Sequence, residues 1–513
     1  MEDLPRVFPS VVDMLADAAT RSPETIALVC GEERLTYAQY LRCVAGFARE
    51  LTQHGRGARV ALVCGNSLNL PIAMFGIHAA AAQAVPINPA YTRRELSYIL
   101  TDADPSAIVY DAEASANVEP LIAALKIAHA VKVGSGGRTL DLWKDDAAQS
   151  LPLALPQPEE LATLQYTGGT TGLPKGVNIT HGQMAINISQ REAALPTHAD
   201  DEAVLCMMPL FHVFAVAMCL HLSVYCRGRL VIMPRYDAGA VLELIERERI
   251  TRLPAGPTVF IGLLNHQQFP KTDFSSLRTC YSGSAPLPEE TLRRWRGLTG
   301  TPILEGYGQT EAGPVLTYVR EGGELKIGSS GPALPLTEIE IVDVENGTDV
   351  LPVGKVGEIR ARGPQIMSGY RNKPEETAEA LRGGWLYTGD IGELDADGYI
   401  YIRDRKKDMA IVGGFNVFPR EIEEVLFAHP EVREAAATGI PDSYYGETIR
   451  ACVVVKEGAQ TKADDLIAHC RSNLAKYKVP VEIRIVDALP RTTVGKIDRV
   501  ALRGWLASPS RRA

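Results

Sequence analysis

The sequence predicts an α/β fold, because strand-like and helix-like segments alternate along it. Near the N-terminus, short apolar runs at residues 26–29 and 60–63 flank residues 37–51, whose apolar side chains recur at helical spacing. The same alternation returns between residues 435 and 486. Such alternation is typical of sheets covered by helices. The length of 513 residues is enough for several domain-sized units.

Composition and charge exclude some functions. A net charge of -9 argues against nucleic-acid binding through a broadly basic surface. The cysteines form no Cys-x-x-Cys pair and no zinc spacing, so we expect small buried side chains in a reducing compartment. The N-terminus lacks the apolar core of a signal peptide, and the longest apolar stretch, residues 72–87, is interrupted by His78, Gln83 and Pro86. We therefore expect a cytoplasmic protein without a membrane span, while peripheral membrane contact stays open.

A loop rich in glycine and threonine, residues 167–176, follows a short apolar segment. Its glycines let backbone N–H groups turn towards an anion, its threonines add hydroxyl donors, and its lysine adds a positive charge. A polyphosphate is the ligand that we expect such a loop to bind. The residues that we expect to bind it are Thr167, Gly168, Gly169, Thr170, Thr171, Gly172 and Lys175.

The loop is not a P-loop, which requires Gly-Lys-Ser/Thr at the start of a helix. Here Pro174 precedes Lys175, and Gly176 follows it. A P-loop kinase is therefore not predicted. If the loop has no binding function, it is simply a flexible turn between two strands.

The segment Tyr-Thr-Gly-Gly-Thr-Thr-Gly-Leu-Pro-Lys-Gly-Val at residues 166–177 resembles the signature loop of the AMP-forming adenylating enzymes. These include acyl-CoA synthetases, adenylation domains of peptide synthetases, and luciferases. Further motifs follow in the family's order, so the resemblance covers roughly residues 10–505. It implies a large N-terminal adenylating domain of stacked α/β sheets with a small barrel-like subdomain (1–403). A hinge (404–408) and a small, mobile α+β C-terminal domain (409–513) complete the implied architecture.

His212 lies in a largely apolar segment, where a single histidine is usually a buried structural residue. In the family an aromatic residue or histidine at this place lines the acyl pocket beside the reacting carboxylate. The resemblance therefore implies a catalytic role for His212 in an apolar surrounding. The implied pocket consists of Phe211, His212, Phe214, Gly283, Gly306 and Pro314.

Two glycine-containing turns are expected to hold the nucleotide. The turn at 283–285 follows an apolar strand, a common ligand position in α/β sheets. The segment 305–315 resembles the family's adenine and Mg²⁺ motif: Tyr307 can lie against a purine, and Glu311 offers a hard oxygen ligand for Mg²⁺. The residues so assigned to the nucleotide are Gly283, Ser284, Ala285, Gly306, Tyr307, Gly308 and Thr310.

Asp390 ends the run Trp-Leu-Tyr-Thr-Gly-Asp, and a carboxylate after such a turn can accept hydrogen bonds from both ribose hydroxyls. The charged run at 404–408 is ordinarily a solvated turn. The resemblance instead implies that Arg405 reaches the nucleotide and that Lys407 is the pivot of the hinge.

The C-terminal part carries the last motifs. The resemblance assigns the turn Gly413, Gly414, Phe415 and Asn416 to the pantetheine arm of coenzyme A. Lys496 belongs to Pro-Arg-Thr-Thr-Val-Gly-Lys, the motif whose lysine reaches the reacting carboxylate. The residues expected to act in catalysis are Lys496, Thr170, Glu311 and His212.

Together these motifs imply that a carboxylic acid reacts with ATP and Mg²⁺ to give acyl-AMP, which then acylates CoA. Segments 263–266, 273–277 and 304–308 resemble those of fatty acyl-CoA ligases, so a medium- or long-chain fatty acid is the preferred substrate. Segments 211–215 and 311–316 equally resemble 4-coumarate-type ligases, so an aromatic hydroxycinnamate or benzoate-type acid is the alternative.

A second alternative belongs to another class: a non-catalytic acyl- or nucleotide-binding protein on the same fold. It would predict loss of Lys496 or Glu311, and both are present. The sequence does not decide between CoA and a carrier-protein thiol as acceptor, or between a monomer and a homodimer.

Overall fold

The computed structural model describes residues 4–152, 154–167, 174–285, 287–442, 444–492 and 496–508. Most of the chain up to residue 380 forms two large sheets and the helices packed on them. The α/β prediction is therefore confirmed, and most interior strand pairs of both sheets are parallel.

The first large sheet has eight strands. Its interior pairs are parallel, while the pair at each edge is antiparallel. In spatial order the strands are Val315–Tyr318, Ile303–Gly308, Thr279–Ser282, Arg252–Ala255, Ala203–Cys206, Arg229–Ile232, Ile26–Cys30 and Glu33–Thr36.

The second large sheet has seven strands. Its antiparallel edge is the hairpin that carries the glycine-rich loop at its tip, with Thr167 paired to Lys175. In spatial order the strands are Gly369–Tyr370, Lys175–Thr180, Leu161–Thr167, Gln83–Pro86, Arg59–Val63, Ala107–Tyr110 and His129–Lys132.

One hydrophobic core joins the two large sheets through the helices Tyr37–Leu51 and Asn69–Ala79. Leu28 of the first sheet, Val60 of the second and Phe75 of the second helix belong to it. Every residue of Asn69–Ala79 is buried, as expected for a helix that is apolar on all sides. The long apolar stretch of the sequence is thus a core helix and its following strand. Within the described residues, no helix combines the length and the apolar character needed to cross a bilayer.

The helices cover the sheets and connect their strands. The α-helices are Val11–Arg21, Tyr37–Leu51, Asn69–Ala79, Arg93–Ala103, Ser115–Leu125, His181–Ala194, Val213–Ala215, Leu222–Tyr225, Ala238–Arg247, Pro257–Leu264, Glu289–Thr299, Pro374–Ala380, Pro419–Phe427, Ala463–Asn473 and Arg499–Ala507. Short 3₁₀ turns are Thr52–His54, Phe269–Lys271, Thr310–Ala312 and Lys476–Lys478, and Val216–His221 is a π-helix.

Two smaller five-stranded sheets follow. The first contains Glu338–Val342, Gly357–Arg362, Trp385–Leu394, Leu381–Arg382 and Ile400–Arg405. The second belongs to the C-terminal part and contains Phe415–Val417, Ala410–Val412, Gly446–Val455, Val432–Asp442 and Glu482–Ile485. The C-terminal sheet has its own hydrophobic clusters, which include Ile422, Val453 and Leu502. A separate core of this kind is what an independent C-terminal unit requires.

A buried ion pair lies inside the first large sheet. Arg252 Nε donates to a Glu202 oxygen at 2.9 Å, and neither side chain is exposed. Two further acceptors, the Pro196 carbonyl and Glu321, satisfy the same guanidinium. Removing one partner of such a pair leaves a buried charge without compensation.

We expect Arg252→Met to destabilise the protein by about 3 kcal/mol, because Glu202 would stay buried and lose its nearest cation, with only Arg278 left at 3.6 Å. The exposed pair Arg293–Glu289 provides the control, and Arg293→Met should change stability by less than about 1 kcal/mol. Thermal unfolding of both variants measures the difference. Equal melting temperatures for the two variants would show that the buried pair contributes no more to stability than the exposed pair.

Candidate functional site

The candidate site lies where strands of both large sheets end. Leu161–Thr167 leads into the glycine-rich loop, Thr279–Ser282 leads to Gly283, and Ile303–Gly308 leads to Thr310. The carboxyl ends of parallel strands are the usual place for a ligand in an α/β protein. Of the predicted phosphate-binding residues, Gly168, Gly169, Thr170, Thr171 and Gly172 lie outside the described residues.

Tyr307 and Asp390 meet directly, although 83 residues separate them. The Tyr307 hydroxyl donates to Asp390 Oδ2 at 2.7 Å, and the Asp390 backbone N–H donates to the Thr388 hydroxyl. Burial raises the pKa of the Asp390 carboxyl, while the charge of Arg405, with Nε 3.8 Å from Oδ1, opposes that rise. The residues predicted for adenine and ribose therefore share one hydrogen-bonded unit.

Glu311 is held by a residue that the sequence analysis did not single out. The Tyr370 hydroxyl donates to Glu311 Oε1 at 2.8 Å, and the Lys175 ammonium lies 5.0 Å from the centre of the Tyr370 ring. Desolvation raises the pKa of Glu311. Tyr370 thus connects the acid predicted to bind Mg²⁺ with the lysine predicted to bind phosphate.

His212 caps the helix that starts at Val213. Its Nδ1 accepts a hydrogen bond from the Phe214 backbone N–H at 3.2 Å, so the ring proton resides on Nε2. Removal from water lowers the pKa of His212 to about 3, and the nearby charge of Lys496 acts in the same direction. The imidazole is therefore a neutral donor at neutral pH.

Lys496 reaches the same region from the C-terminal part of the chain. Desolvation and the Arg405 charge lower its pKa to about 8, while Asp390 acts in the opposite direction. Lys496, Arg405, Asp390 and His212 therefore lie close enough to influence one another's charge. The structure brings together groups that the sequence places almost 300 residues apart.

Two predicted pocket glycines are in tight contact with aromatic rings. A Cβ on Gly283 would lie 2.8 Å from the Phe214 ring, and one on Gly306 would lie 2.2 Å from the Tyr318 ring. The space left by these glycines is filled by the protein itself, so a side chain at either position would displace a ring. A Cβ added to Gly308 would likewise lie 2.0 Å from the carbonyl oxygen of Pro314.

A small, mainly apolar cavity of about 40 Å³ adjoins these residues. Predicted pocket residue Pro314 lines it, as do Thr310 and Val213, the chain neighbours of Glu311 and His212. Its remaining wall is built largely from residues that the sequence analysis did not select. They include Met74, Ile179, Met184, Val216, Ala217 and His221.

The predicted hinge is more ordered than a solvated turn. Asp404 and Asp408 are both buried, and Asp404 accepts hydrogen bonds from the backbone N–H groups of Arg405 and Arg420. Burial raises the pKa of Asp404 to about 6. Lys407 is exposed, and desolvation and the charge of Arg405 lower its pKa. The segment anchors the start of helix Pro419–Phe427.

The predicted CoA turn lies at the surface of the C-terminal part. Gly413 and Gly414 have φ of +58° and +85°, the left-handed region that favours glycine. Phe415 and Asn416 are exposed, and the Phe415 ring stacks on Tyr477 at 4.6 Å. The four residues lie at the turn of the hairpin between Ala410–Val412 and Phe415–Val417.

Two kinds of residue escaped the sequence analysis. Tyr370 stands in a Gly-Tyr pair without a pattern that sets it apart, and His221 is one more polar residue in an apolar run. Periodicity signals burial for such residues but not contact with a site. Among the described residues, no group of three or more His, Cys, Asp or Glu side chains is arranged to hold a metal ion. Glu311, the acid predicted to bind Mg²⁺, therefore belongs to no such group within the described residues.

Comparisons with known proteins agree with this arrangement. The AMP-binding enzyme family matches residues 15–371, and the AMP-binding enzyme C-terminal domain matches residues 421–496. The chain belongs to the AMP-binding enzyme family. It is an acyl-CoA synthetase: an adenylate-forming ligase that uses ATP, Mg²⁺ and CoA.

Individual relatives cover nearly the whole chain. A long-chain-fatty-acid–CoA ligase of Bacillus subtilis is 36% identical, covering 97% of this chain and 95% of its own. A feruloyl-CoA synthase of an Amycolatopsis species is 37% identical, covering 93% and 95%. The crystal structure of ATP-bound MatB from Rhodopseudomonas palustris superimposes with a TM-score of 0.90 at 31% identity, covering 97% and 99%. The apo form of the same protein gives 0.81.

Proposed function

We propose that the protein activates a medium- or long-chain fatty acid as acyl-AMP and transfers the acyl group to CoA. The observation that carries this proposal is the meeting of Tyr307, Asp390 and Lys496 at one site. Nucleotide and carboxylate would bind side by side there. The fatty acid is supported by the curated relative from Bacillus subtilis, which is similar over 97% of the chain.

The nucleotide would bind along the strand ends. Tyr307 would pack against adenine beside the turn at 283–285, while its hydroxyl holds Asp390 in place to accept from the ribose hydroxyls. Arg405 would approach the phosphates. The hairpin tip between Thr167 and Lys175 would surround the leaving pyrophosphate with N–H groups, hydroxyls and the lysine charge.

Glu311 fits a role as ligand of the Mg²⁺ that accompanies ATP. Its carboxylate is desolvated, offers oxygen donors, and is oriented by Tyr370. When bound, Mg²⁺ neutralises charge on the phosphates. Lys175 lies across the Tyr370 ring and would contact the same phosphates from the other side.

The reacting carboxylate must approach an anionic α-phosphate, and this repulsion is the main barrier to the first step. His212 would donate from Nε2 to the carboxylate, because its Nδ1 is already an acceptor. Lys496 would place its ammonium between the carboxylate and the α-phosphate. The carboxylate oxygen then bonds to phosphorus, and pyrophosphate leaves.

The second step requires a different group at the site. We propose that residues 1–403 and 409–513 are two domains that turn about a hinge at 404–408, with Lys407 as pivot. The arrangement described here presents Lys496 to the site, and it is more similar to ATP-bound MatB than to the apo form. Rotation would replace Lys496 with the turn at Gly413–Asn416, which would guide the CoA thiol to the acyl-AMP.

An aromatic acid is a second candidate substrate. The observation in its favour is the feruloyl-CoA synthase relative, whose identity of 37% is similar to the 35–37% of the fatty-acid ligases. A non-catalytic binding role is disfavoured, because Lys496, Glu311 and Asp390 are all present.

We also propose that the protein is cytoplasmic, since its cysteines are free thiols.

The proposed activity is tested with Mg²⁺-ATP, CoA and a panel of fatty and aromatic acids. AMP, pyrophosphate and acyl-CoA should form in equal amounts with fatty acids. Turnover of aromatic acids alone would replace the fatty acid by the second candidate. Formation of ADP, or no AMP with any acid, would contradict the proposal as a whole.

Lys496→Ala should lower the rate of acyl-AMP formation by about 10²–10³-fold, because the carboxylate and α-phosphate lose a shared cation. Thioesterification of supplied acyl-AMP should be largely retained, since that step uses the other domain orientation. The two half-reactions are measured separately by pyrophosphate release and by acyl-CoA formation. Equal loss in both would count against the assigned role.

The pH dependence provides a second test of Lys496. Its pKa of about 8 means that the ammonium loses its proton as pH rises through that value. We expect kcat/KM for adenylation to fall above pH 8 and kcat/KM for thioesterification of acyl-AMP to lack this limb. Lys496→Arg should remove the limb from any activity that remains, because guanidinium stays protonated.

Tyr370→Phe should raise the Mg²⁺ concentration needed for half-maximal adenylation by roughly tenfold. The change removes the hydroxyl that orients Glu311 but keeps the ring under Lys175. Tyr399→Phe is a matched control, because that hydroxyl donates to the Glu324 carbonyl. Identical Mg²⁺ titrations for wild type and Tyr370→Phe would show that Tyr370 does not position Glu311.

A further inference from the structure

The cavity beside the reacting groups has a defined direction. Val213 and Thr310 lie next to His212 and Glu311 in the chain and mark the end where the carboxylate would react. His221 also lines the cavity and lies eight residues beyond Val213 on one continuous helical stretch. Eight residues make about two helical turns, so His221 marks the remote end.

The remote end is formed by a π-helix, Val216–His221. A π-helical turn is rare and occurs frequently at functional sites. Three of its residues, Val216, Ala217 and His221, line the cavity. The unusual backbone therefore coincides with the wall of the cavity.

His221 is the histidine of a mainly apolar wall, whose other polar side chains are Thr163, Gln165 and Thr310. It is 2% exposed, and its Nε2 is buried without a hydrogen-bond partner among the residues that the structure describes. A buried donor or acceptor left in this state costs about 1–3 kcal/mol. His78 and His181 also have unpartnered ring nitrogens, but the cavity lining includes His221.

A second polar group lies behind the same wall. Arg191 is 5% exposed and donates to the Ala217 carbonyl, in the π-helix itself. Its Nε has no hydrogen-bond partner within the described ranges. Burial lowers the pKa of His221 well below its usual value, and the positive charge of Arg191 acts in the same direction. His221 is therefore neutral. The positive charge of Arg191 favours an electron-rich group, such as an oxygen, beside it.

We propose that the acyl group carries a neutral oxygen, such as a hydroxyl, at the end remote from its carboxylate, and that His221 recognises this oxygen. The inference rests on the proposed function and specifies its substrate class. A tail oxygen would satisfy the unpartnered His221 nitrogen, whereas a plain methyl end would leave it unpaired. A second carboxylate is disfavoured, because Met74, Ile179, Met184 and Val216 offer it no compensation for lost water.

The test compares kcat/KM within matched pairs of acids: octanoate with 8-hydroxyoctanoate, and cinnamate with 4-hydroxycinnamate. We expect the wild-type protein to prefer the hydroxylated member of at least one pair by about tenfold or more. The pair that shows the preference decides between an aliphatic and an aromatic acyl group. Equal efficiency within both pairs would overturn the inference, as would a preference for octanedioate over 8-hydroxyoctanoate.

His221→Leu should abolish the preference by lowering kcat/KM for the hydroxylated acid while leaving that for its partner nearly unchanged. Met184→Leu is the control, because it alters an apolar part of the same wall and should affect both members of a pair alike. His221→Gln retains a hydrogen-bonding side chain and should keep part of the preference. A preference that survives intact in His221→Leu would show that His221 does not recognise the tail.

The outcomes separate the inference from the function on which it rests. Turnover of both members of each pair without discrimination overturns the role of His221 alone. Absence of AMP with every acid overturns the proposed function and this inference together. Thermal unfolding of each variant checks that it is folded, and the wild-type comparison decides the substrate class without any variant.

Discussion

The partly buried Asp390 carboxylate is the point on which the separate parts of the chain converge. Tyr307 donates to it from the first large sheet, Arg405 approaches it from the last strand before the C-terminal unit, and Lys496 is near it from that unit. A desolvated carboxylate needs donors and opposite charge. This requirement ties the orientation of the two units to the nucleotide site.

The same electrostatic logic governs the chemistry. Two anions meet only where cations and N–H groups replace their water, and these groups come from distant segments. Lys175 lies on a hairpin, His212 at a helix start, and Lys496 near the C-terminus. Each group belongs to a different element, so the domain rotation that we propose would remove Lys496 without disturbing the other two.

Much of this could be predicted from the sequence, because the informative features are local. The α/β class follows from alternating patterns, and the motifs around Lys175, Tyr307 and Asp390 are contiguous segments with recognisable chemistry. Contacts across the fold could not be predicted in the same way. Tyr370 reaches Glu311 over 59 residues, and nothing in its immediate surroundings indicates that contact. Gly283 and Gly306 were predicted to line the acyl pocket, but the rings of Phe214 and Tyr318 occupy the space beside them, because shape complementarity is not encoded in any short pattern.

The capping role of His212 has a consequence for how such a pocket can diversify. One imidazole fixes both the start of the helical stretch and the direction of its own Nε2 proton. Substitutions farther along that stretch, around Val216 to His221, would reshape the distal wall while the head-group geometry stays anchored. Selectivity for the tail of the acyl group and catalysis at its carboxylate can therefore change separately. Related proteins could accept a different acid while keeping the same catalytic residues.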